Sequence, residues 1–194
     1  MNTMVLHQLD QMDEELNLLL KQLKRYNDDQ LNRPPKKGGW SVIQIMRHLM
    51  LSEKYSLAYI KKKSQDPSQL KKIDLKSRMR SASLQLYLRF PMKRKAPEMV
   101  AELPEYSTFW ETAKQWKEQR AELRQFIGDL PKDIYKTQLY KHPGLGRISL
   151  SNMLQFFFQH FKRHNRQIRR IIKQFVPQTS WFCRLSGIAY LLFL

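Results

Sequence analysis

The sequence predicts an all-helical protein built around one core. Its 194 residues are enough for a single domain with a sizeable core. Only six are glycines, whereas leucine, lysine, glutamine and arginine, which all favour helices, are abundant. Apolar residues also recur at spacings of three and four along several segments, which is the pattern of an amphipathic helix.

The first two helices are predicted from apolar stripes. Over residues 2–29 the apolar side chains trace one face, and the charges change from acidic to basic, as the helix dipole favours. His7 lies off that face, so we expect it on the surface. Residues 33–39 contain helix-breaking proline and glycine, and Ser41 is a good N-cap for a second helix to about Lys63. One face of this helix contains Ile45, His48, Ser52, Tyr55 and Tyr59.

Residues 64–106 are expected to connect the second helix to the third, because they have the least regular pattern of the chain. Four prolines interrupt them, and a short helix near Leu84–Leu88 is the one element that the pattern suggests. Residues 64–95 are strongly basic. A solvated loop explains this charge most simply, and binding of an anionic partner is the alternative.

The third helix is predicted to begin near Ser107 and to end at residues 128–131. We expect its aromatic residues in the core rather than in a base-stacking platform, because no strand pattern of an RNA-binding sheet accompanies them. Residues 140–146 are predicted as a turn-rich loop, where a structural role for His142 is favoured over a position at the mouth of a site. The apolar side of the third helix comprises Phe109, Trp110, Ala113, Trp116, Ala121, Leu123, Phe126 and Ile127.

The last helix, which includes residues 150–168, carries two histidines on its apolar stripe. His160 and His164 occupy positions where a core would normally contain leucine or phenylalanine. They lie on one face about 6 Å apart along the axis, so both can reach one metal ion. Either Ser149 or Ser151 is a suitable N-cap. The full stripe contains Met153, Phe157, His160, His164, Ile168, Ile171 and Phe175.

Two histidines at this spacing are weak evidence for a metal site. Neutral imidazoles that share a proton with a backbone carbonyl are also tolerated in a core. A third histidine strengthens the case, since His48 also lies on a core-facing stripe of a second helix. The sequence therefore predicts a metal site with the ligands His48, His160 and His164.

The composition indicates the compartment and the kind of partner. A formal charge of +18 favours nucleic acid, an anionic membrane surface or a negatively charged small substrate. The last helix is very basic after its histidines, which makes that face the best candidate for an anionic contact. The single cysteine, Cys183, excludes an internal disulfide and favours a reducing, cytoplasmic location. Residues 1–16 contain no apolar block, so no secretory signal is predicted.

Residues 177–194 form an apolar tail, which we treat as separate from the helical domain over residues 1–176. The tail is interrupted by Arg184 and is shorter than the roughly 20 apolar residues that span a membrane. Packing on the helices, oligomerisation and contact with a membrane surface all remain open for it.

Two groups of motifs resemble the DinB-like (DinB/YfiT) metalloprotein superfamily. The second-helix signature of that family is similar to Pro35-Lys36-Lys37-Gly38-Gly39-Trp40-Ser41, followed by Gln44-Ile45, His48-Leu49 and Glu53. Its closing segment is similar to His142-Pro143 with Gly146, then Phe157, His160, His164 and Gln167-Ile168. The resemblance covers about residues 2–175, and the motifs occur in the family's order.

The resemblance implies a four-helix bundle over residues 1–176 with a long connection between helices 2 and 3. It also implies a divalent ion, zinc or nickel, held by His48, His160 and His164. Members of the family often form homodimers, so a homodimer is expected. Some relatives are thiol-dependent S-transferases or isomerases, which makes a low-molecular-weight thiol one expected substrate.

A site of this kind can support two reactions. Three imidazole ligands leave positions open, where an ion lowers the pKa of water for hydrolysis or of a thiol for thiol transfer. The last helix has no carboxylate near its histidines, and Glu53 is turned roughly 140° from His48, so all-histidine ligation is expected. Gln44 and Gln167 are candidates for orienting the imidazole rings.

Three functions are consistent with the sequence. The first is a metal-dependent hydrolase or thiol S-transferase that acts on a small molecule, which is anionic or a thiol. The alternative is a basic helical binding module for nucleic acid or an anionic membrane surface, without catalysis. The third is a bundle that keeps the metal for folding and has lost catalysis. The histidines favour the first over the second, because a basic surface requires no inward-facing imidazole.

Overall fold

Four long helices dominate the computed structural model, which describes residues 2–89, 103–142 and 146–175. The elements in chain order are α1 (Thr3–Leu23), α2 (Asp28–Asn32), α3 (Val42–Ser64), α4 (Leu75–Arg89), α5 (Phe109–Asp129), β1 (Tyr140–His142), β2 (Gly146–Ile148) and α6 (Leu150–Ile172). Short 3-10 turns lie at Pro67–Gln69 and Lys132–Lys136. The prediction of a helical protein is confirmed.

Side-chain caps decide where the long helices begin. Ser41 caps α3, and its backbone N–H donates to the side-chain oxygen of Gln44 in a capping box. Ser149 caps α6, which resolves the choice between two serines. α5 begins near Ser107, as predicted, but the residue that caps it is Thr108.

The predicted first helix is divided in two. α1 ends at Leu23, and α2 begins after Asn27, whose side chain forms a capping box with Gln30. Asparagine favours this local bonding over continuing a helix, which explains the break. The side chain of Asn32 then bonds both backbone groups of Ser107, so α2 fixes the approach to α5.

The core lies between α1, α3, α5 and α6. α1 packs on α6, and α3 packs on both α5 and α6. Trp116 and Phe157 are among its largest buried side chains. Three predicted core positions are exposed instead: Tyr55, Trp110 and Ala121.

The connection between α3 and α5 contains more structure than the sequence predicts. α4 begins at Leu75, nine residues before the predicted Leu84–Leu88 helix, and it packs against α6 and β2. Asp74 precedes it and accepts a hydrogen bond from the Ser77 N–H. The buried residues Ser77 and Ser81 give α4 a polar inner face, so hydrophobic periodicity does not reveal it. Residues 90–102 lie outside the described residues.

A two-stranded antiparallel hairpin replaces the loop predicted at residues 140–146. Tyr140 pairs with Ile148, and both side chains are buried. The hydroxyl groups of Tyr140 and Ser56 are hydrogen-bonded at 3.0 Å, which fixes the hairpin to α3. Across the described residues, no helix is long and apolar enough to cross a membrane. The tail at residues 177–194 lies outside the described part of the chain.

Candidate metal centre

Helices α3 and α6 bring the three predicted histidines to one point. The Nε2 atom of His160 lies 3.3 Å from Nε2 of His48 and 3.1 Å from Nε2 of His164. One ligand nitrogen from each ring lies within 4.8 Å of the other two. Two segments that are 112 residues apart in the chain therefore converge.

The two short contacts at His160 Nε2 cannot both be well-aligned hydrogen bonds. A neutral imidazole nitrogen carries either one hydrogen or one lone pair, so it serves one aligned partner. By contrast, two nitrogens bound to a tetrahedral ion through bonds of about 2.0–2.1 Å lie about 3.3 Å apart. The nitrogen separations of His160 match that spacing, so the donor set fits a divalent ion.

The core on either side of each histidine holds the rings in place. His48 is buried between Ile45 and Leu49 on α3, and both neighbours are fully buried. Along α6, Phe157 and Ile168 are buried on either side of the histidine pair. The apolar stripe therefore fixes the direction in which the imidazoles point.

Two aromatic side chains pack against the histidine rings. The ring centroid of Trp40 lies 4.7 Å from that of His48. Phe156 stacks on His160, with centroids 5.2 Å apart and planes at 12°. Gly39 precedes Trp40 with a φ of +105°, a conformation that glycine allows and that turns the connection before α3. No role is predicted from the sequence for Trp40 or Phe156, although Phe156 lies one helical turn before His160.

Gln167 orients the ring of His164, as predicted. Its side-chain oxygen lies 3.0 Å from Nδ1 of His164, so Nδ1 carries the proton and Nε2 keeps its lone pair for a ligand. Gln44 has a different role in the structure, since its oxygen accepts from the backbone N–H of Ser41. Orientation of His48 by Gln44 stays a prediction.

The electrostatics of the site keep His160 and His164 neutral. Desolvation, followed by the neighbouring His164 and His48, lowers the pKa of His160 well below its ordinary value. Desolvation and His48 lower the pKa of His164 to about 4. The Arg163 guanidinium also lowers the pKa of both rings. At neutral pH the rings therefore present lone pairs, which metal binding requires.

Glu53 is engaged elsewhere, which agrees with its predicted exclusion from the ligand set. Its carboxylate accepts two hydrogen bonds from Arg120, at 2.5 and 2.6 Å. It also accepts one from Nε1 of Trp116 at 3.1 Å. Within the described residues, the metal-type cluster consists of histidines alone.

His142 lies near the site, although the sequence favours a purely structural role for it. Its ring meets Phe156 edge to face, with centroids 4.7 Å apart, and Phe156 stacks on His160. Desolvation lowers the pKa of His142 to about 4. The β1–β2 hairpin thus places a fourth imidazole one aromatic ring away from the cluster. His7, in contrast, is exposed on α1, as predicted.

Comparisons with known proteins agree with this geometry. The solved structure of YfiT from Bacillus subtilis is described as a probable metal-dependent hydrolase with an unusual four-helix bundle topology. It is similar to this chain with a TM-score of 0.63 and 18% sequence identity, over 90% of each chain. At that identity the similarity shows the fold alone, a four-helix bundle. No curated protein matches the sequence. The family model of the DinB superfamily matches residues 8–168, and the chain therefore belongs to the DinB superfamily.

Proposed function

We propose that this protein is a metal-dependent hydrolase whose divalent ion is held by His48, His160 and His164. The observation that supports the proposal best is the position of His160 Nε2, which lies at 3.1 and 3.3 Å from two other imidazole nitrogens. A neutral imidazole nitrogen serves one aligned hydrogen-bond partner, whereas His160 Nε2 has two ring nitrogens within reach. Imidazole nitrogens that converge in this way suit a cation.

The ion, when bound, supplies a Lewis acid that lowers the pKa of water at an open coordination position. The protein's own residues prepare the site for it. Gln167 holds His164 in the tautomer with a free Nε2 lone pair, while Trp40 and Phe156 cover ring faces of His48 and His160.

The charge around the site favours an anionic small-molecule substrate. Arg163 is close enough to both α6 histidines to lower the pKa of each. No carboxylate joins the histidine cluster among the described residues. A positive surrounding of this kind attracts a substrate that carries a carboxylate or a phosphate.

Imidazole ligands are compatible with zinc and with nickel, so we propose one of these two ions. Hydrolysis is favoured over thiol S-transfer because the similar solved structure is described as a probable hydrolase. The cytoplasmic location and the homodimer stay predictions.

The direct experiment is turnover by the full chain after its metal has been removed with a chelator and restored with zinc or nickel. We expect hydrolysis of anionic ester or amide substrates by the reloaded protein, and none by the stripped protein or by His160→Ala. The His7→Ala variant is the matched control, because His7 is exposed on α1. A parallel assay with a low-molecular-weight thiol and an electrophile distinguishes thiol transfer. Equimolar metal without turnover in either assay would contradict the proposal and favour a structural ion.

A further inference from the structure

A second candidate site lies between α1 and α5, the two long helices that carry none of the clustered histidines. The helices run antiparallel, since Lys24 meets Trp110 while Asp10 meets Arg124. Between them is a groove of about 520 Å³ with an apolar floor that includes Leu20 and Ala113. That volume is within the range of binding pockets, roughly 300–1,000 Å³.

The rim of this groove is strongly basic. The α1 wall carries Lys21 and Lys24, and the α5 wall carries Lys114 and Lys117. All four lysines are exposed, and Glu118 is the one carboxylate in the described lining. Glu118 lies 4.0 Å from Lys114 in an exposed pair, which leaves an excess of positive charge on both walls. The charge of the groove therefore favours an anionic ligand.

An exposed tryptophan stands at one end of the groove. The side chain of Trp110 is 63% exposed, which is unusual for a large aromatic residue in a folded domain. The Lys24 ammonium lies 5.1 Å from the centroid of its ring, and Phe109 contacts it edge to face. The sequence predicts Trp110 in the core, whereas the structure shows it facing solvent with the Lys24 ammonium over its ring.

The surrounding structure holds this platform in place. Asp28 accepts a hydrogen bond from the backbone N–H of Phe109 at 2.7 Å, and Asn32 bonds both backbone groups of Ser107. The start of α5 is thus tied to α2, one residue before Trp110. The groove exists before any ligand binds, which reduces the entropy lost on binding.

We propose that the groove binds single-stranded nucleic acid, with an unpaired base stacked on Trp110 and the lysines on both walls against the phosphates. Stacking on an aromatic side chain combined with a basic channel is the usual means by which proteins hold single strands. An acidic peptide would satisfy the lysines and would leave the exposed indole without a stacking partner. A flat membrane surface would not reach the floor between two helices.

The test is fluorescence anisotropy of a labelled twelve-nucleotide oligothymidine titrated with the full chain. If all four lysines contact phosphates, the affinity falls about 50-fold between 50 and 200 mM salt. We expect Trp110→Ala to weaken binding about tenfold, from the loss of one stacked base. Tyr55→Ala is the matched control, because Tyr55 is an exposed aromatic residue on α3, and it should bind like the wild type.

The lysines are tested through the salt dependence. The Lys24→Gln and Lys117→Gln double variant should reduce the slope of log affinity against log salt by about 1.4. The matched double variant, Lys54→Gln and Lys62→Gln, removes the same charge from exposed positions on α3. It should leave the slope unchanged.

Several outcomes would overturn the proposal. One is that Trp110→Ala binds the oligonucleotide as well as Tyr55→Ala does. Another is that a duplex of the same length binds as tightly as the single strand, because a paired base cannot stack on Trp110. Capture of polyglutamate or of anionic vesicles that depends on Trp110 would assign the groove to another partner. Removal of the metal should leave oligonucleotide binding unchanged, so this test is independent of the proposed hydrolase activity.

Discussion

Helix α3 contributes to two polar clusters in the core. One of them stabilises the packing of the helices, and the other is the proposed metal site. His48 and Glu53 are five residues apart on this helix, and both are buried. The Glu53 side chain points at α5, where Trp116 and Arg120 donate hydrogen bonds to its carboxylate. The His48 side chain points at α6, where its Nε2 lies 3.3 Å from Nε2 of His160, which in turn lies 3.1 Å from Nε2 of His164. The first cluster is closed by the protein itself, and the second is open to a cation.

The closed cluster neutralises its own charges. Burial alone lowers the pKa of Arg120, and the Glu53 and Asp13 carboxylates more than offset this, so its pKa is raised overall. Arg120 also lies 3.4 Å from Asp13 on α1, which ties three helices together. A buried ion pair of this kind specifies packing, and removal of one partner leaves the other charge buried alone.

The open cluster differs from the closed one because it consists of histidines alone, without a carboxylate among the described residues. Its three nitrogens have been desolvated, and the aromatic rings of Trp40 and Phe156 pack around them. Burial of such groups costs free energy unless a partner restores the lost interactions. A divalent ion is a partner that all three nitrogens can share.

The largest effect on stability is expected at the closed cluster. Arg120→Ala should lower the free energy of unfolding by about 3–5 kcal/mol, because Glu53 then remains buried without its counter-ion. Urea denaturation followed by circular dichroism measures this. Arg124→Ala is the control, since Arg124 forms more exposed pairs with Asp10 and Asp13 and should cost about 1 kcal/mol or less. Equal losses in the two variants would remove the distinction between buried and exposed pairs.

Metal should stabilise the protein through the open cluster alone. At a free ion concentration of 100 times Kd, linkage predicts a gain of about 2.7 kcal/mol in the free energy of unfolding. Thermal unfolding with and without zinc or nickel measures the gain as a rise in Tm. His160→Ala should show no rise, whereas Arg124→Ala should show the full rise. A rise in His160→Ala equal to that of the wild type would place the ion elsewhere.

Gln167 should increase the metal affinity of the open cluster without being a metal ligand itself. Gln167→Ala removes the acceptor for Nδ1–H of His164, so metal affinity should fall about 10–100-fold. Competition with a fluorescent chelator measures the Kd. Gln125→Ala, at an exposed position on α5, is the matched control and should bind like the wild type. An unchanged Kd in Gln167→Ala would show that this hydrogen bond does not support the site.

The smallest effect is expected at the edge of the closed cluster. Trp116→Phe keeps an aromatic ring in the core and removes the Nε1 donor to Glu53, which Arg120 still neutralises. The loss should be about 1–2 kcal/mol in the free energy of unfolding, from the missing hydrogen bond and the smaller buried ring, measured in urea. Trp110→Phe is the exposed counterpart and should leave stability unchanged. A loss above the Arg120→Ala value would reverse the order of importance within the cluster.

Most of the open cluster can be predicted from the sequence, whereas little of the closed cluster can. His160 and His164 replace apolar residues on a regular stripe, and His48 does so on a second stripe, so periodicity alone exposes all three. The Glu53–Arg120 pair joins helices that no local pattern relates. The first part of α4 was not predicted because Ser77 and Ser81 face inward, and the hairpin was not predicted because three-residue strands show no period. Trp110 has the residue type and spacing of a core position, and its exposure depends on how α1 and α5 pack.

The most direct measurement is the metal content of the folded wild-type protein and of the variants His48→Ala, His160→Ala and His164→Ala, by mass spectrometry after identical loading and dialysis. Circular dichroism confirms that each variant is folded. We expect equimolar zinc or nickel in the wild type and in His7→Ala, and its loss from each of the three variants. Equimolar metal in all three variants would contradict the claim that these imidazoles hold the ion.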